Sequence, residues 1–458
     1  MTDYDIIIIG NGASGVFASY EFTKLKSKLK VLVIEKGNDI YHRLCPIKTG
    51  TVETCIGCVP CNIMNGYGGA GTLSDGKYNI TTNFGGELHK YIGIKKATEL
   101  MEYVDNVLCS FDGGESKLYS TSNSDLKTLA LKNDLHLLDA NVRHFGTDRN
   151  IKILEKIYNY TKGSIDMIFG TIAVDISYEN NKYYVKTDKG KIYSCNKLVL
   201  ASGRSGSKWI SQICKKFNIN LFSNQVDIGV RVELPAEVFK HITDVVYESK
   251  IVYQTKGYND LVRTFCMNPY GQVVAENTNG IITVNGHAYA DRKLQSPNTN
   301  FALLVSNKFT EPFKDSNEYG ESIARLSNML GGGVLLQRFG DLIKGRRSDK
   351  RRMEKCFTIP TLKATAGDLS LVIPKRQLDS IIEMIYAIDK IAPGTANDDT
   401  LLYGVEVKFY NSKVETNNNF ETAKKGLFVV GDGGGATHSL SQASACGVYV
   451  ARFLNENF

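Results

Sequence analysis

Tyr4-Asp5-Ile6-Ile7-Ile8-Ile9-Gly10-Asn11-Gly12-Ala13-Ser14-Gly15, together with Lys30-Val31-Leu32-Val33-Ile34-Glu35, is the stretch that decides the fold. Residues 4–9 read as a short central strand, because a parallel strand covered on both faces needs an unbroken apolar run. A Gly-x-Gly-x-x-Gly turn follows, Val16 to Phe22 continue as a helix, and a second strand ends at Glu35, twenty residues after Gly15. Each part has a mechanical reason. Gly10 allows the tight turn, Gly12 lets a pyrophosphate approach the backbone, and Gly15 lets the helix pack close to the strand. At Ala13 and Ser14 the helix N-terminus offers free N–H groups and partial positive charge. Glu35 is placed to accept hydrogen bonds from ribose hydroxyls, which argues against a 2′-phosphate there. Lys36 and Val174 are assigned to the same nucleotide site.

The other end of the chain specifies which nucleotide. Gly426-Leu-Phe-Val-Val-Gly431-Asp432 is an apolar strand ending in Gly-Asp, followed by Gly433-Gly434-Gly435 and an apolar-periodic stretch from Ser441 to Leu454. Strand, Gly-Asp and helix in that order suit a flavin. Asp432 would bind a ribityl hydroxyl, and the last helix, with Ser441 in its first turn, would point its positive end at the pyrimidine edge. His438 falls beside this segment, as a cap or a flavin neighbour. A third strand, Lys197-Leu-Val-Leu-Ala201-Ser-Gly203, ends in small residues under the same nucleotide. Three distant segments thus converge on FAD, so the nucleotide domain must be discontinuous. The expected architecture is α/β: a Rossmann-like FAD-binding domain from residues 1–220 and 415–458, with a mixed α+β substrate domain, 221–414, inserted into it. Two further glycine-rich stretches, Gly66–Gly71 and Gly331–Gly333, lack the strands and helices of a second nucleotide fold.

Length and composition fit this reading. The chain has 458 residues, 42% hydrophobic, 22% charged and 10% aromatic, as in a soluble protein with a full core. Its apolar runs fall far short of the ~20 residues a bilayer-spanning helix needs. The N-terminus has acids where a signal peptide carries cations, so a cytoplasmic location is expected. The net charge of +7 is concentrated: Lys344 to Arg352 hold six basic residues and one acid. This is a local patch rather than a global polyanion surface.

Of ten cysteines, Cys45, Cys55, Cys58 and Cys61 crowd into seventeen positions within the loop 43–77. Cys55-x2-Cys58-x2-Cys61 with a separate Cys45-Pro46 matches the ligand spacing of a [4Fe–4S] cluster. A structural zinc and redox-active thiols fit the same residues. The six scattered cysteines read as small buried apolar residues.

The cysteine loop with Asn65-Gly-Tyr-Gly-Gly-Ala-Gly71-Thr-Leu-Ser-Asp-Gly-Lys77, together with Asp227-Ile-Gly-Val-Arg231-Val-Glu233, Arg263-Thr-Phe-Cys266, Val284-Asn-Gly-His287 and Tyr403-Gly-Val-Glu406, resembles the bacterial family of FAD-dependent dehydrogenases. That resemblance implies a flavin fold of the p-hydroxybenzoate-hydroxylase type. It also implies that Gly69, Ala70, Gly71, Thr72, Ser74 and Asp75 line the flavin and its diphosphate. In the inserted domain, Arg231 and Arg263 sit in apolar strand-like contexts. They are either a clamp for an anionic substrate or structural partners of Glu233, Glu406 or Asp227. Cys266 and His287 are proton-transfer candidates, with a buried thiol and a hydrogen-bonded imidazole as the plainer alternatives. The expected function is an FAD oxidoreductase for a small, anionic organic substrate, with the cysteine cluster and an electron-transfer protein as relay. The rival is a flavoprotein that docks RNA or a carrier through Lys344–Arg352.

Overall fold

The computed structural model describes residues 2–46, 49–52, 56, 58–112, 116–246, 248–278, 280–289, 292–309, 313 and 315–458. The chain forms two compact units. The first comprises Met1–Leu118, Arg143–Asn224 and Tyr410–Phe458; the second comprises Tyr119–Val142 and Gln225–Phe409. The excursion 119–142 therefore leaves the first unit and supplies Leu135–Leu137 as the outermost strand of the second unit's sheet.

The first unit is a Rossmann-like α/β fold. Its main sheet includes β1 (Thr2–Ile9), β2 (Val31–Ile34), β3 (Asp166–Ile168), β4 (Ala173–Glu179), β5 (Lys182–Thr187) and β6 (Ile192–Leu200). The parallel sheet runs β3-β2-β1-β6. Ile6, Ile7 and Ile8 have no exposed surface, which is why an uninterrupted run of β-branched residues forms the centre. The far edge of β6 is shared. Residues 192–195 pair antiparallel with β5, and Leu198–Leu200 pair parallel with the strand Leu427–Val429. The C-terminal segment thus completes a sheet begun by the N-terminal one. Helix α1 (Ala13–Lys24) packs on the helix Leu440–Glu456 so closely that a Cβ on Gly447 would stand 2.1 Å from the Ser14 carbonyl oxygen.

The second unit is built on an eight-stranded sheet. Its central strands are β7 (Val226–Pro235), β8 (Leu261–Asn268), β9 (Asn298–Asn307) and β10 (Leu401–Phe409). They lie antiparallel in the order β10-β7-β9-β8. Among the described strands of this sheet, the only parallel pair joins Leu335–Arg338 to Thr365–Ala366. In β7, Val226, Ile228, Val230, Val232 and Leu234 enter a core with Phe239, Ile242, Ile381, Met384 and Ile385 of the helices Ala236–Val246 and Lys375–Asp389. The alternate residues Asp227, Arg231 and Glu233 are equally buried. With period two, one face of the sheet is apolar and the other is a buried ladder of charge. Val245 to Tyr253 is a β-prone stretch of sequence, yet only its last part is a strand. Val245 and Val246 end the helix Ala236–Val246, and the strand begins at Ile251. β-branched residues are helical there because tertiary packing outweighs local propensity.

Candidate functional site

The turn after β1 has the geometry of a nucleotide cradle. Gly10 adopts φ +101°, and a Cβ there would stand 2.4 Å from the Ala201 carbonyl oxygen; on Gly15 it would meet the Gly10 oxygen at 2.3 Å. Both positions must therefore be glycine to close the turn. Gly12 differs: its φ is −75°, and nothing lies within 4 Å of where its Cβ would be. It opens onto free space at the N-terminus of α1, which has no side-chain cap, so the first N–H groups of the helix remain for a ligand.

Glu35 is buried and already engaged. Its Oε2 accepts the Asn11 N–H at 2.8 Å, and its Oε1 accepts those of Gly37 at 2.8 Å and Gly66 at 3.0 Å. These bonds tie β2 to the turn and to the loop 65–72. A carboxylate has about four acceptor positions, so one is left for a hydroxyl. Burial holds the neighbouring Lys36 ammonium below its usual range. Val174 lies elsewhere, 44% exposed on edge strand β4 at the bulge between Ala173 and Asp175.

The loop 65–75 comes down on the cradle. Gly68 N–H donates to the Asn11 oxygen at 2.7 Å, and a Cβ on Gly69 would be 3.0 Å from Gly12 Cα. The turn Gly69–Gly71 reaches the last helix, since a Cβ on Gly71 would meet Leu440 at 2.6 Å. Asn150 donates to the oxygens of Gly71 (2.8 Å) and Thr72 (3.1 Å), Thr72 Oγ1 to that of Tyr67 (2.6 Å), and Ser74 Oγ to that of Gly71 (2.6 Å). Ala70 is exposed, and Asp75 pairs with Lys77 at 3.2 Å.

From the other chain segments, Gly431 reaches the same place: a Cβ on it would lie 2.5 Å from Ser14 Oγ. Ser205 Oγ, two residues past Gly203, donates to Asn65 at 2.9 Å. Asp432 sits between two bases, with Arg204 Nε donating to Oδ2 at 3.0 Å and His438 Nδ1 2.8 Å from Oδ1. Burial opposes its ionisation, but Arg204 and His438 outweigh burial and hold the carboxyl below its usual range. Five buried polar atoms on these segments have no hydrogen-bond partner among the described residues: Asn11 Oδ1, Asn150 Oδ1, Ser202 Oγ, Thr437 Oγ1 and Ser441 Oγ. Buried polar atoms are normally satisfied, so this set and the open face of Gly12 fit a polar ligand.

Several positioning residues carry no sequence signature. Buried Arg43 donates to the carbonyls of Asn62 (3.0 Å), Ile63 (2.8 Å) and Tyr67 (2.6 Å), and burial lowers its pKa to about 10. Gln442 bonds the segment 81–88 through the Thr81 and Phe84 oxygens and the Leu88 N–H. The dipeptide Gly85-Gly86, which admits close backbone approach, is the one cue that could have revealed this strap.

The cysteine loop is held by these amide contacts. Cys45, Cys58 and Cys61 are half-buried free thiols, and Cys55 lies outside the described residues. Among the described residues, no three His, Cys, Asp or Glu side chains form a group able to hold a metal; the four-cysteine set expected for [4Fe–4S] or zinc includes Cys55 and so extends outside them. Of the scattered cysteines, Cys195, Cys214 and Cys446 are buried, whereas Cys109, Cys266 and Cys356 are half-buried. Burial pushes the Cys195 and Cys446 thiols up to about 12 and Cys214 to about 11. A thiol titration of the native protein near neutral pH should leave these three unmodified until denaturant is added; their labelling in the native state would contradict the packing.

In the second unit the two arginines are structural partners of acids. Arg231, with no exposed surface, donates from Nη2 to Glu406 Oε1 (2.9 Å) and Asn285 Oδ1 (2.8 Å), and from Nη1 to the Cys266 oxygen (2.8 Å); its Nε lies 2.8 Å from Glu406 Oε2. The expected clamp at Arg231 is thus closed on Glu406, because an unpaired guanidinium could not be buried there. Arg263 pairs with buried Asp227 and stays 20% exposed. Lys408, 3.0 Å from Glu406, shares that carboxylate with Arg231. Cys266, at φ +42°, sits where the register of β8 slips against β9, and His287 ends the hairpin strand Ile281–His287 opposite Gln272.

Residues 225–409 match the family model described as FAD-dependent protein, C-terminal domain-like, and these are also the bounds of the main segment of the second unit. No curated protein sequence matches the chain. Among solved structures, glycine oxidase from Geobacillus kaustophilus is 11% identical with a TM-score of 0.43, covering 100% of this chain and 96% of that one. L-Proline dehydrogenase from P. horikoshii is 13% identical with a TM-score of 0.44, covering 99% and 94%. Likenesses this distant say nothing of substrate. The family match does bear on the chain: its second unit is similar to the C-terminal domain of FAD-dependent proteins.

Proposed function

We propose that this protein is an FAD-dependent oxidoreductase acting on a small organic substrate. The observation that carries the reading is the meeting of Gly12, Gly69, Ala201 and Gly431, from four distant stretches, around an open backbone turn lined by orphaned polar atoms. The family match of residues 225–409 supports it independently. In this reading FAD lies lengthwise between the chain ends, in the p-hydroxybenzoate-hydroxylase manner.

Bound FAD would supply two-electron redox chemistry of the hydride-transfer kind. The chain's own residues would bind and orient it. The N–H groups of Ala13, Ser14 and Gly15 would face the pyrophosphate. Glu35 would use its remaining acceptor position on the ribose. Asp432, kept ionised by Arg204 and His438, would accept from the ribityl chain. Gly69 to Asp75 would cover the diphosphate. On the polar face of the second unit, Arg231 positions the backbone of Cys266. Arg263, Cys266 and His287 are the groups proposed to meet an anionic substrate.

The test is direct. Protein isolated gently without added cofactor should be yellow and should release FAD on denaturation, in about equimolar amount if the site is filled. Material that is colourless and takes up no FAD on soaking would overturn the proposal. Iron, sulfide and zinc measured on the same preparation decide the cysteine reading separately.

A further inference from the structure

The basic segment 344–363 divides its cations into two groups. The first is folded onto acids. Buried Asp341 accepts from Ser348 Oγ at 2.8 Å and Arg346 Nε at 2.8 Å, with Arg338 at 3.4 Å and Arg352 at 3.7 Å. Lys344 pairs with Asp398 at 2.6 Å and Arg352 with Asp349 at 2.8 Å. The second group comprises Arg347, Lys350, Arg351, Lys355 and Lys363. All five are exposed and have no ion pair among the described residues, and Glu354 is the one exposed acid between them.

Beside these cations stand two large apolar side chains in water: Phe357 is 79% exposed and Ile359 71%. Their backbone is held in place on both sides. Phe357 N–H donates to Asp399 Oδ2 at 2.9 Å, and the Ile359 oxygen accepts from Asn298 Nδ2 at 2.8 Å. Thr361 is anchored on buried Glu233, its Oγ1 donating to Oε1 at 2.6 Å. Backbone hydrogen-bonded turns run from Asp349 to Cys356, ending with the Cys356 N–H on the Met353 oxygen at 3.0 Å, and the Arg352 side chain ties in the Arg347 oxygen at 3.1 Å. Cations and apolar tips therefore belong to one ordered patch.

We propose that this patch docks on an anionic lipid surface. Phe357 and Ile359 enter the boundary between headgroups and acyl chains, and the five free cations face the lipid phosphates and acidic headgroups. No helix among the described residues is long and apolar enough to cross a membrane, so the contact is peripheral. Two other occupants fit less well. A nucleic-acid backbone would engage the cations but offers nothing to an isoleucine held out in water. A second copy in two-fold contact would set the same five cations against their own images.

Co-sedimentation with vesicles tests this on the full chain, flavin-loaded or not. Binding to vesicles containing about one third phosphatidylglycerol should be on the order of tenfold stronger than to pure phosphatidylcholine, and should weaken as salt is raised. Phe357→Ser/Ile359→Ser and, separately, Lys350→Glu/Arg351→Glu should each reduce that binding on the order of tenfold. Since all four side chains are exposed, melting temperatures should stay at the wild-type value. Equal retention on both vesicle types, or an unchanged Phe357→Ser/Ile359→Ser variant, would overturn the proposal. So would binding of tRNA that depends on Lys350 and Arg351 but not on Phe357, or a dimer that Phe357→Ser dissolves.

Discussion

Gly12→Val yields a protein that folds but carries no flavin. The position has ordinary extended backbone angles and open space where the new side chain begins, so stability of the flavin-free form should change by no more than about 0.5 kcal/mol. The added methyls would occupy the space through which a pyrophosphate approaches the helix N-terminus, and bound FAD should fall below about a tenth of the wild-type amount. Gly10→Ala, two residues away, is the contrasting control. There the Cβ meets the Ala201 oxygen at 2.4 Å and the backbone is left-handed at φ +101°. The cost should be on the order of 3 kcal/mol, from strain and collision together, visible as a lower melting temperature whether or not flavin is present. Calorimetry beside flavin quantitation separates the two. A Gly12→Val protein that keeps its yellow colour would remove the basis of the proposed function.

Glu406→Gln should be among the most destabilising single changes in the second unit. The carboxylate has no exposed surface and serves two cations, Arg231 at 2.8 Å and Lys408 at 3.0 Å. Neutralising it strands both in a desolvated site, and loss of one partner from a buried ion pair costs about 3–5 kcal/mol. Arg231→Met should cost less, because Lys408 still neutralises Glu406. Adding Lys408→Met to Glu406→Gln should recover part of the loss, the sign of coupling within one network. Urea titrations of the four proteins measure these differences; equal losses in the first two would contradict a shared carboxylate. The pH dependence has a definite sign. Burial works against the Lys408 ammonium, but Glu406, Glu276 and Cys266 outweigh it and raise its pKa above the ordinary 10.5. A raised cation contributes fully below the unfolded value, so this contribution is complete below about pH 10.5 and lost only as pH rises past the folded value.

How much of this could be read from sequence follows from how local each signal is. Gly10, Gly12, Gly15, Glu35 and Gly431-Asp432 are legible because backbone approach and strand ends leave a short pattern in the residues themselves. That Lys197–Gly203 and Gly426–Asp432 converge on one nucleotide is expected from two apolar strands ending in small residues; that Leu198–Leu200 pair with Leu427–Val429 is seen only in the structure. Side-chain partnerships were less accessible. Three of the six basic residues in Lys344–Arg352 are paired, with Asp398, Asp341 and Asp349, and the first of those acids lies some fifty residues downstream. Arg231 could pair with any of three acids, and only the register of β7 against β10 selects Glu406. Arg43 and Gln442 act through backbone carbonyls, which no residue pattern announces. Glu35 was assigned to a ligand, and its three amide bonds show that the same carboxylate also braces the turn.

The shared edge of β6 has a consequence for biosynthesis. Residues 198–200 wait for a partner, Leu427–Val429, that leaves the ribosome more than two hundred residues later. At about 5–20 residues per second, that leaves an apolar sheet edge bare for roughly ten seconds or more during translation. Such an edge invites mispairing, so the yield of native protein should respond to chaperone supply and to growth temperature more than its finished stability would suggest.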